Sequence, residues 1–359
     1  MRERRLRSPI VTKTNTGNFF EDFRIGQELV HATPRTVTSG DVALYTALYG
    51  TRFAVQSSDA FAQALGLPRA PVDDLLVFHI VFGKTVPDIS LNAVANLGYA
   101  ECRFGTPVYP GDTLSTRSTV IGLRENSNRE SGVVHVRSTG HNQHGDVVLD
   151  YVRWVMVRKR DSKAEIPVAV TPKLAPSVSA ADLSVPAGLS LAAYDTALAG
   201  ASHRWGDYAA GERIDHVDGM TIEEAEHMLA TRLYQNTAKV HFDQRLAAGT
   251  RFGRRLIYGG HIISLARALS FNGLANAFRI AAINAGSHTN PTLAGDTIYA
   301  WSEVKEKAEI ARRDDIGALR LRTVAVKNTT PAAFPDKAAD GKADPSVVLD
   351  LDYWVLMPR

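Results

Sequence analysis

The sequence predicts an α+β chain built from two copies of one unit, each a curved antiparallel sheet around a buried central helix. Three observations carry this reading. The chain of 359 residues repeats at about half length: Gly26, His31, Thr36, Leu48 and Tyr49 recur about 185 residues later as Gly211, His216, Thr221, Leu233 and Tyr234. Further on, Pro107 and Gly111-Asp112-Thr113 recur as Pro291 and Gly295-Asp296-Thr297, and Trp154 recurs as Trp354. The run Leu75 to Phe82 is apolar nearly all round, which a helix sustains only when buried. Alternation of apolar and polar residues, the mark of a sheet with one covered face, comes late in each half.

Taken in order, Thr38-Ser39-Gly40-Asp41 supplies side-chain oxygens that cap a helix from Val42 to Tyr49. A second helix is expected near Asp74 to Thr85. Strands follow around Val134 to Arg137 and over Val147 to Val157. In the second half, Thr221-Ile222-Glu223-Glu224 has the capping-box pattern and opens a helix from Thr221 to Tyr234. The stripe Ile262, Ile263, Leu265, Ala266 and Leu269 places another from Gly260 to Leu274. Strands recur around Leu319 to Arg322 and over Val347 to Met357. Asn328 to Pro345, rich in Pro, Ala, Asp and Lys, is expected as a surface insertion.

The domain organisation that follows is a basic disordered tail over 1–18, an N-terminal repeat over 19–158, a linker over 159–186 and a C-terminal repeat over 187–359. The tail carries Arg2, Arg4, Arg5 and Arg7 but no apolar stretch after them, so no secretory signal is expected. A net charge of +3 is too small to suggest nucleic acid. The single Cys102 excludes an internal disulfide framework and suits a reducing compartment. No apolar run approaches the roughly 20 residues that span a bilayer. The expectation is a cytoplasmic protein with no nucleic-acid or membrane partner, and a homodimer is left open.

The two copies differ where chemistry is expected. Seven residues past the paired tyrosines, Gln56 faces His241, and Thr51 faces Asn236. Leu75, opening the first buried helix, faces Gly260 in the second. The segment Leu233 to His241, followed by Leu256-Ile257-Tyr258-Gly259-Gly260-His261 and Asn290 to Thr297, resembles the MaoC-like, R-specific enoyl-CoA hydratases of double hotdog fold. In that family a Gly-Asp-x-Asn-Pro-x-His motif carries a catalytic Asp and His, and a Gly at the start of the central helix offers its N–H to the thioester oxygen. Phe19 to Phe23, His31 to Val37, Phe53 to Asp59 and Arg254 to Arg267 are similar to the mesaconyl-CoA hydratase, or β-methylmalyl-CoA dehydratase, subfamily.

The resemblance implies reversible addition of water to mesaconyl-C1-CoA, a CoA-thioester substrate, with no metal or redox cofactor. It places His241 as general base, Asn236 where the family has its acid, and Gly260 as oxyanion donor. The first copy, lacking both titratable groups, is expected to be non-catalytic. His241 fits a base because an unperturbed imidazole titrates near working pH. An amide cannot deliver a proton, so the acid is either the imidazolium itself or a carboxylate such as Asp243. Gln56 and Tyr258 are assigned to substrate binding. Among the cations, Arg254 and Arg255, with Arg245, Arg251 and Arg267, are candidates for the CoA phosphates. Arg52, opposite Thr237 in the repeat, is the candidate for the free carboxylate of the acyl group. Three alternatives stay open: a hydratase of unbranched enoyl-CoA, a non-catalytic CoA-thioester binding module, and, less favoured, a thioesterase.

Overall fold

The structure, a computed structural model, describes residues 13–165 and 169–359. The arginines of the expected basic tail lie outside the described residues. Ten strands form one antiparallel sheet: β1 (Glu28–Thr36), β2 (Ala93–Phe104), β3 (Thr113–Glu125), β4 (Ser131–His141), β5 (Val147–Arg158), β6 (Arg213–Thr221), β7 (Arg279–Ser287), β8 (Thr297–Glu309), β9 (Ile316–Lys327) and β10 (Val347–Pro358). Their order, β1-β3-β4-β5-β2-β7-β10-β9-β8-β6, reads as one five-strand unit followed by its own mirror. The seam is β2 against β7, with Tyr99 opposite Gly286 and Ala100 opposite Ala285. The sheet is therefore continuous across the two copies.

Four helices matter for the site: α1 (Ser39–Tyr49), α2 (Asp74–Thr85), α3 (Glu224–Leu233) and α4 (Gly259–Leu269). α1 begins as the sequence predicts, because Thr38 accepts from Asp41 N–H while Asp41 reaches back to Thr38 N–H at 2.8 Å. α2 buries every residue from Leu75 to Thr85 and α4 every residue from Gly260 to Leu269. Both are core helices, as their composition requires.

Three boundaries differ from expectation, each for a local reason. The second capping box is made by Glu223 and Glu226, not by Thr221 and Glu224, because Thr221 ends β6 and its hydroxyl bonds Thr297 Oγ1 at 2.7 Å. α4 stops at Leu269 rather than Leu274: Gly273 sits at φ 101° and Asn272 donates to the His216 carbonyl. The segment between the halves is packed. Val178, Leu183, Leu189, Leu191 and Tyr194 join Val55, Leu65 and Leu67 in one apolar cluster, and Trp354 Nε1 donates to Val178 O at 3.0 Å. No helix among the described residues is long and apolar enough to cross a membrane.

Candidate active site

α2 and α4 meet through a pair of counterpart residues. His79 Nε2 bonds its own counterpart, Ser264 Oγ, at 3.0 Å, and Tyr45 donates to the same hydroxyl at 2.9 Å. The hydroxyls of Tyr49 and Tyr234, also counterparts, meet at 2.6 Å beside His261 Nδ1. The two motif segments thus face each other, but through their tyrosines.

In the C-terminal copy, α2 positions the motif. A Cβ on Gly83 would lie 2.0 Å from Tyr234 O and 3.5 Å from Asn236 N, so only glycine lets the helix approach this turn. Gln235 turns the chain at φ 52° and receives Lys84 Nζ. Asn236 is buried, and its Oδ1 accepts Ala238 N–H at 3.0 Å. Five residues on, His241 Nδ1 lies 3.0 Å from Leu256 O. A carbonyl only accepts, so Nδ1 carries the proton and Nε2 presents a lone pair.

Burial, with the cation-disfavouring neighbour His227 and against the Leu256 hydrogen bond, brings the His241 pKa down to about 4. This corrects the expectation of a base titrating near neutrality. The imidazole is simply neutral across the working range. Tyr258 packs its ring 5.5 Å from the His241 ring and caps α4 with no side-chain acceptor for the first-turn amides. The Gly260 N–H therefore points from a helix N-terminus with no competing carboxylate.

The first copy shows the opposite arrangement. Asp73 caps α2 and its Oδ1 accepts Leu75 N–H at 2.9 Å, filling the place that stays open at Gly260. Gln56 Nε2 donates to Phe278 O at 2.6 Å, and Thr51 Oγ1 is buried without a partner. Phe104, Arg279, Pro186 and Leu189 line a cavity together with Gln56 and Asp74. Burial raises the Asp74 pKa to about 6, opposed by Arg279. An enolate would find a carboxylate here instead of a donor.

Several expected binding residues are placed elsewhere. Arg52 stacks its guanidinium 4.5 Å over Phe271, just beyond the C-terminal end of α4, whereas Gly260 and Tyr258 mark the other end. Being 11 residues long, α4 separates those ends by roughly 16 Å. Gln56 belongs to the first copy, where its amide is held by Phe278 O. Asp243 is a helix cap, its Oδ1 accepting Leu246 N–H at 3.0 Å. Arg267 is buried on α4, stacked 3.6 Å over Phe53 and bonded to Ala277 O, so it cannot reach a phosphate. Arg254 and Arg255 both pair with Glu224, beside the motif segment, and Arg245 and Arg251 are exposed.

The sequence reading missed His288. It follows β7 directly, held by Thr289 Oγ1 and Asn290 Nδ2, both donating to Val347 O. A Cβ on Gly259 would lie 2.4 Å from His288 Nε2, so the imidazole rests on the N-terminus of α4. That Nε2 is buried with no partner among the described residues. Burial first, then nearby His241, lowers its pKa to about 4. The available signal was another asymmetry in the repeat. Gly105 and Val148 bond as Thr289 and Val348 do, which makes Phe104 the counterpart of His288.

Comparison with known proteins places this geometry. A family model described as Mesaconyl-CoA hydratase matches residues 8–338. The chain is 67% identical to the β-methylmalyl-CoA dehydratase of Chloroflexus aurantiacus over 97% of this chain and 99% of that protein. It is 65% identical to the mesaconyl-CoA hydratase of Cereibacter sphaeroides, covering 97% of this chain and all of that one (100%). A crystal structure of a MaoC domain protein dehydratase from Chloroflexus aurantiacus superposes with a TM-score of 0.95 at 67% identity, over 97% of this chain and 99% of that chain. A double hotdog protein from Mycobacterium tuberculosis gives 0.73 at 26% identity, over 96% and 99%.

Proposed function

The chain belongs to the mesaconyl-CoA hydratase family and is a hydro-lyase of double hotdog fold, and from that premise we propose that it adds water to mesaconyl-CoA at a single site in its C-terminal copy, with His241 as base. The observation that carries the assignment is the tautomer of His241. Leu256 O holds the proton on Nδ1, leaving Nε2 to accept one from water as the water oxygen bonds to Cβ. The double-bond electrons move onto the thioester oxygen, which meets the Gly260 N–H. The imidazolium then returns its proton to Cα as the carbonyl re-forms, and the net change is one water across the double bond.

His288 supplies a second donor at the enolate oxygen. A neutral imidazole at a helix N-terminus can donate without changing charge. Asn236 keeps its Nδ2 available for water or substrate while its Oδ1 holds the turn. Arg245, Arg251, Arg254 and Arg255 are the exposed or half-buried cations offered to the CoA phosphates.

The test is the loss of absorbance at the enoyl thioester band with mesaconyl-CoA. His241→Ala lowers kcat by about a hundredfold or more, the lower end of a general base's contribution. Gln56→Ala lowers it far less. Equal losses in two folded variants would remove the active site from the C-terminal copy.

A further inference from the structure

The established family fixes that a CoA thioester is hydrated but leaves open what recognises the rest of the acyl group. A monothioester of an unsaturated four-carbon diacid carries a carboxylate three bonds from the thioester carbon. Inside a closed pocket that charge needs a cation. Arg52 is at the wrong end of α4.

Three arginines are buried among the described residues: Arg153, Arg267 and Arg279. Two, Arg267 on α4 and Arg279 on β7, have acids from the start of α2 facing them. Asp73 and Asp74 act on Arg267, and Asp74 lies 3.9 Å from Arg279 Nε. Arg153, on β5, has none. It is 0% exposed, donates from Nη2 to Thr85 Oγ1 at 2.8 Å and Ser90 Oγ at 3.2 Å, and lies 4.3 Å over the Phe82 ring. The groups that act on it electrostatically are Tyr151, Tyr99 and Tyr258, all neutral at pH 7. Its Nε is buried without a partner, and so is Tyr151 OH.

A buried charge is ordinarily paired with an opposite one. Here the protein supplies hydroxyls, rings and, 3.5 Å from Nη1, the Asn96 side-chain oxygen, and leaves the Nε donor of the guanidinium without a partner. A buried, charged N–H donor of this kind suits a carboxylate oxygen. The place is also right. Phe82 lies 5.9 Å from Tyr258, whose ring is 5.5 Å from His241. Tyr99 lies 6.1 Å from Phe82 and 6.2 Å from His288. The counterpart of Arg153, by the Trp154/Trp354 match, is Tyr353, whose hydroxyl bonds Thr323 at 3.0 Å. The arginine is thus confined to the side of the fold that serves the catalytic copy.

We propose that Arg153, with the Tyr151 hydroxyl, recognises the free carboxylate of a dicarboxylic acyl-CoA and so sets the substrate class of the site. This rests on hydration at His241. The carboxylate would be received beside the rings of Phe82, Tyr99 and Tyr258. Mono- and dicarboxylic enoyl thioesters are then separated by one charge.

The test compares mesaconyl-CoA with crotonyl-CoA, which lacks the carboxylate. Arg153→Met lowers the ratio of their kcat/KM values by thirtyfold or more, and Arg153→Lys restores part of it. Arg52→Met moves the ratio by less than twofold. Proportional loss on both substrates would overturn the proposal and make Arg153 a structural tie between Thr85 and Ser90. Inhibition of the unmodified enzyme decides independently of folding: methylsuccinyl-CoA binds at least tenfold tighter than butyryl-CoA, and equal binding refutes the idea. A wild-type enzyme that hydrates neither substrate contradicts the functional reading itself, a result distinct from any change in ratio.

Discussion

Gly83→Ala tests whether α2 holds the catalytic segment in place. The added Cβ would stand 2.0 Å from Tyr234 O and 3.1 Å from Tyr234 C, where an ordinary contact begins at 3.4 Å. The obstacle is backbone, so no side chain can swing aside. Relief requires a displacement of roughly 1.4 Å between α2 and the Tyr234–Asn236 turn. The turn resists, because Tyr234 OH is bound to Tyr49 and Gln235 to Lys84. Overpacking of this kind costs about 1–3 kcal/mol. The same shift propagates through five residues to His241, and a misplacement of about 1 Å at a reacting group is enough for a hundredfold loss of rate. The expected result is a lower urea midpoint together with a kcat reduced by about 10²-fold, KM changing less. Gly249→Ala, whose Cβ meets only Leu246 O at 3.5 Å, is the matched control. Wild-type kcat in a Gly83→Ala enzyme that melts normally would show that α2 does not position the base.

Two further predictions concern the imidazoles. His288→Phe, which installs the residue of the first copy, lowers kcat by about 10²–10³-fold, the usual effect of losing one oxyanion donor. His288→Gln keeps an N–H donor and recovers part of the rate; equal losses in the two variants would remove the donor role. For pH, burial holds His241, His288 and His216 at a pKa of about 4, and His79 and His261 at about 3. The unfolded chain, titrating near 6.5, binds more protons through the window from 6.5 down to those values, so stability falls as pH falls. Each imidazole at a pKa of about 4 contributes a loss on the order of 2 kcal/mol by pH 5. Asp74, raised to about 6, works the other way over pH 6 to 4, as does Asp73, also raised by burial, but these are two groups against five. Denaturant midpoints at pH 7 and pH 5 check the sign, and an unchanged or higher midpoint at pH 5 defeats it. The acid limb of kcat/KM correspondingly lies below pH 5.

The features legible in the sequence were those stated by the repeat. Two copies, a buried helix in each, and the Gln56/His241 and Leu75/Gly260 differences all follow from pairing residues at a fixed offset. His288 was hidden because the offset slips by one residue near Pro107, and an unaligned His beside Thr289 and Asn290 looks like a loop residue. Arg267 read as part of a basic cluster because sequence proximity does not reveal which face of α4 is turned inward. Arg52 was misplaced for a geometric reason: the pairing of the copies brings Tyr49 to Tyr234, so residues three further along each segment diverge. Arg153 gave no signal at all, since an arginine in an alternating strand normally faces water.

The unbroken seam between β2 and β7 has a consequence for how such a site changes over time. When two identical subunits make a hotdog pair, every substitution is made twice, and a carboxylate planted at one helix start would poison both centres. A fused chain separates the two fates. Asp73 and Asp74 can settle under one helix while Gly259 and Gly260 persist under the other, and Arg153 can be recruited on one side without a second copy to accommodate. The spare centre becomes building material for the working one, and selectivity is free to evolve there by single steps.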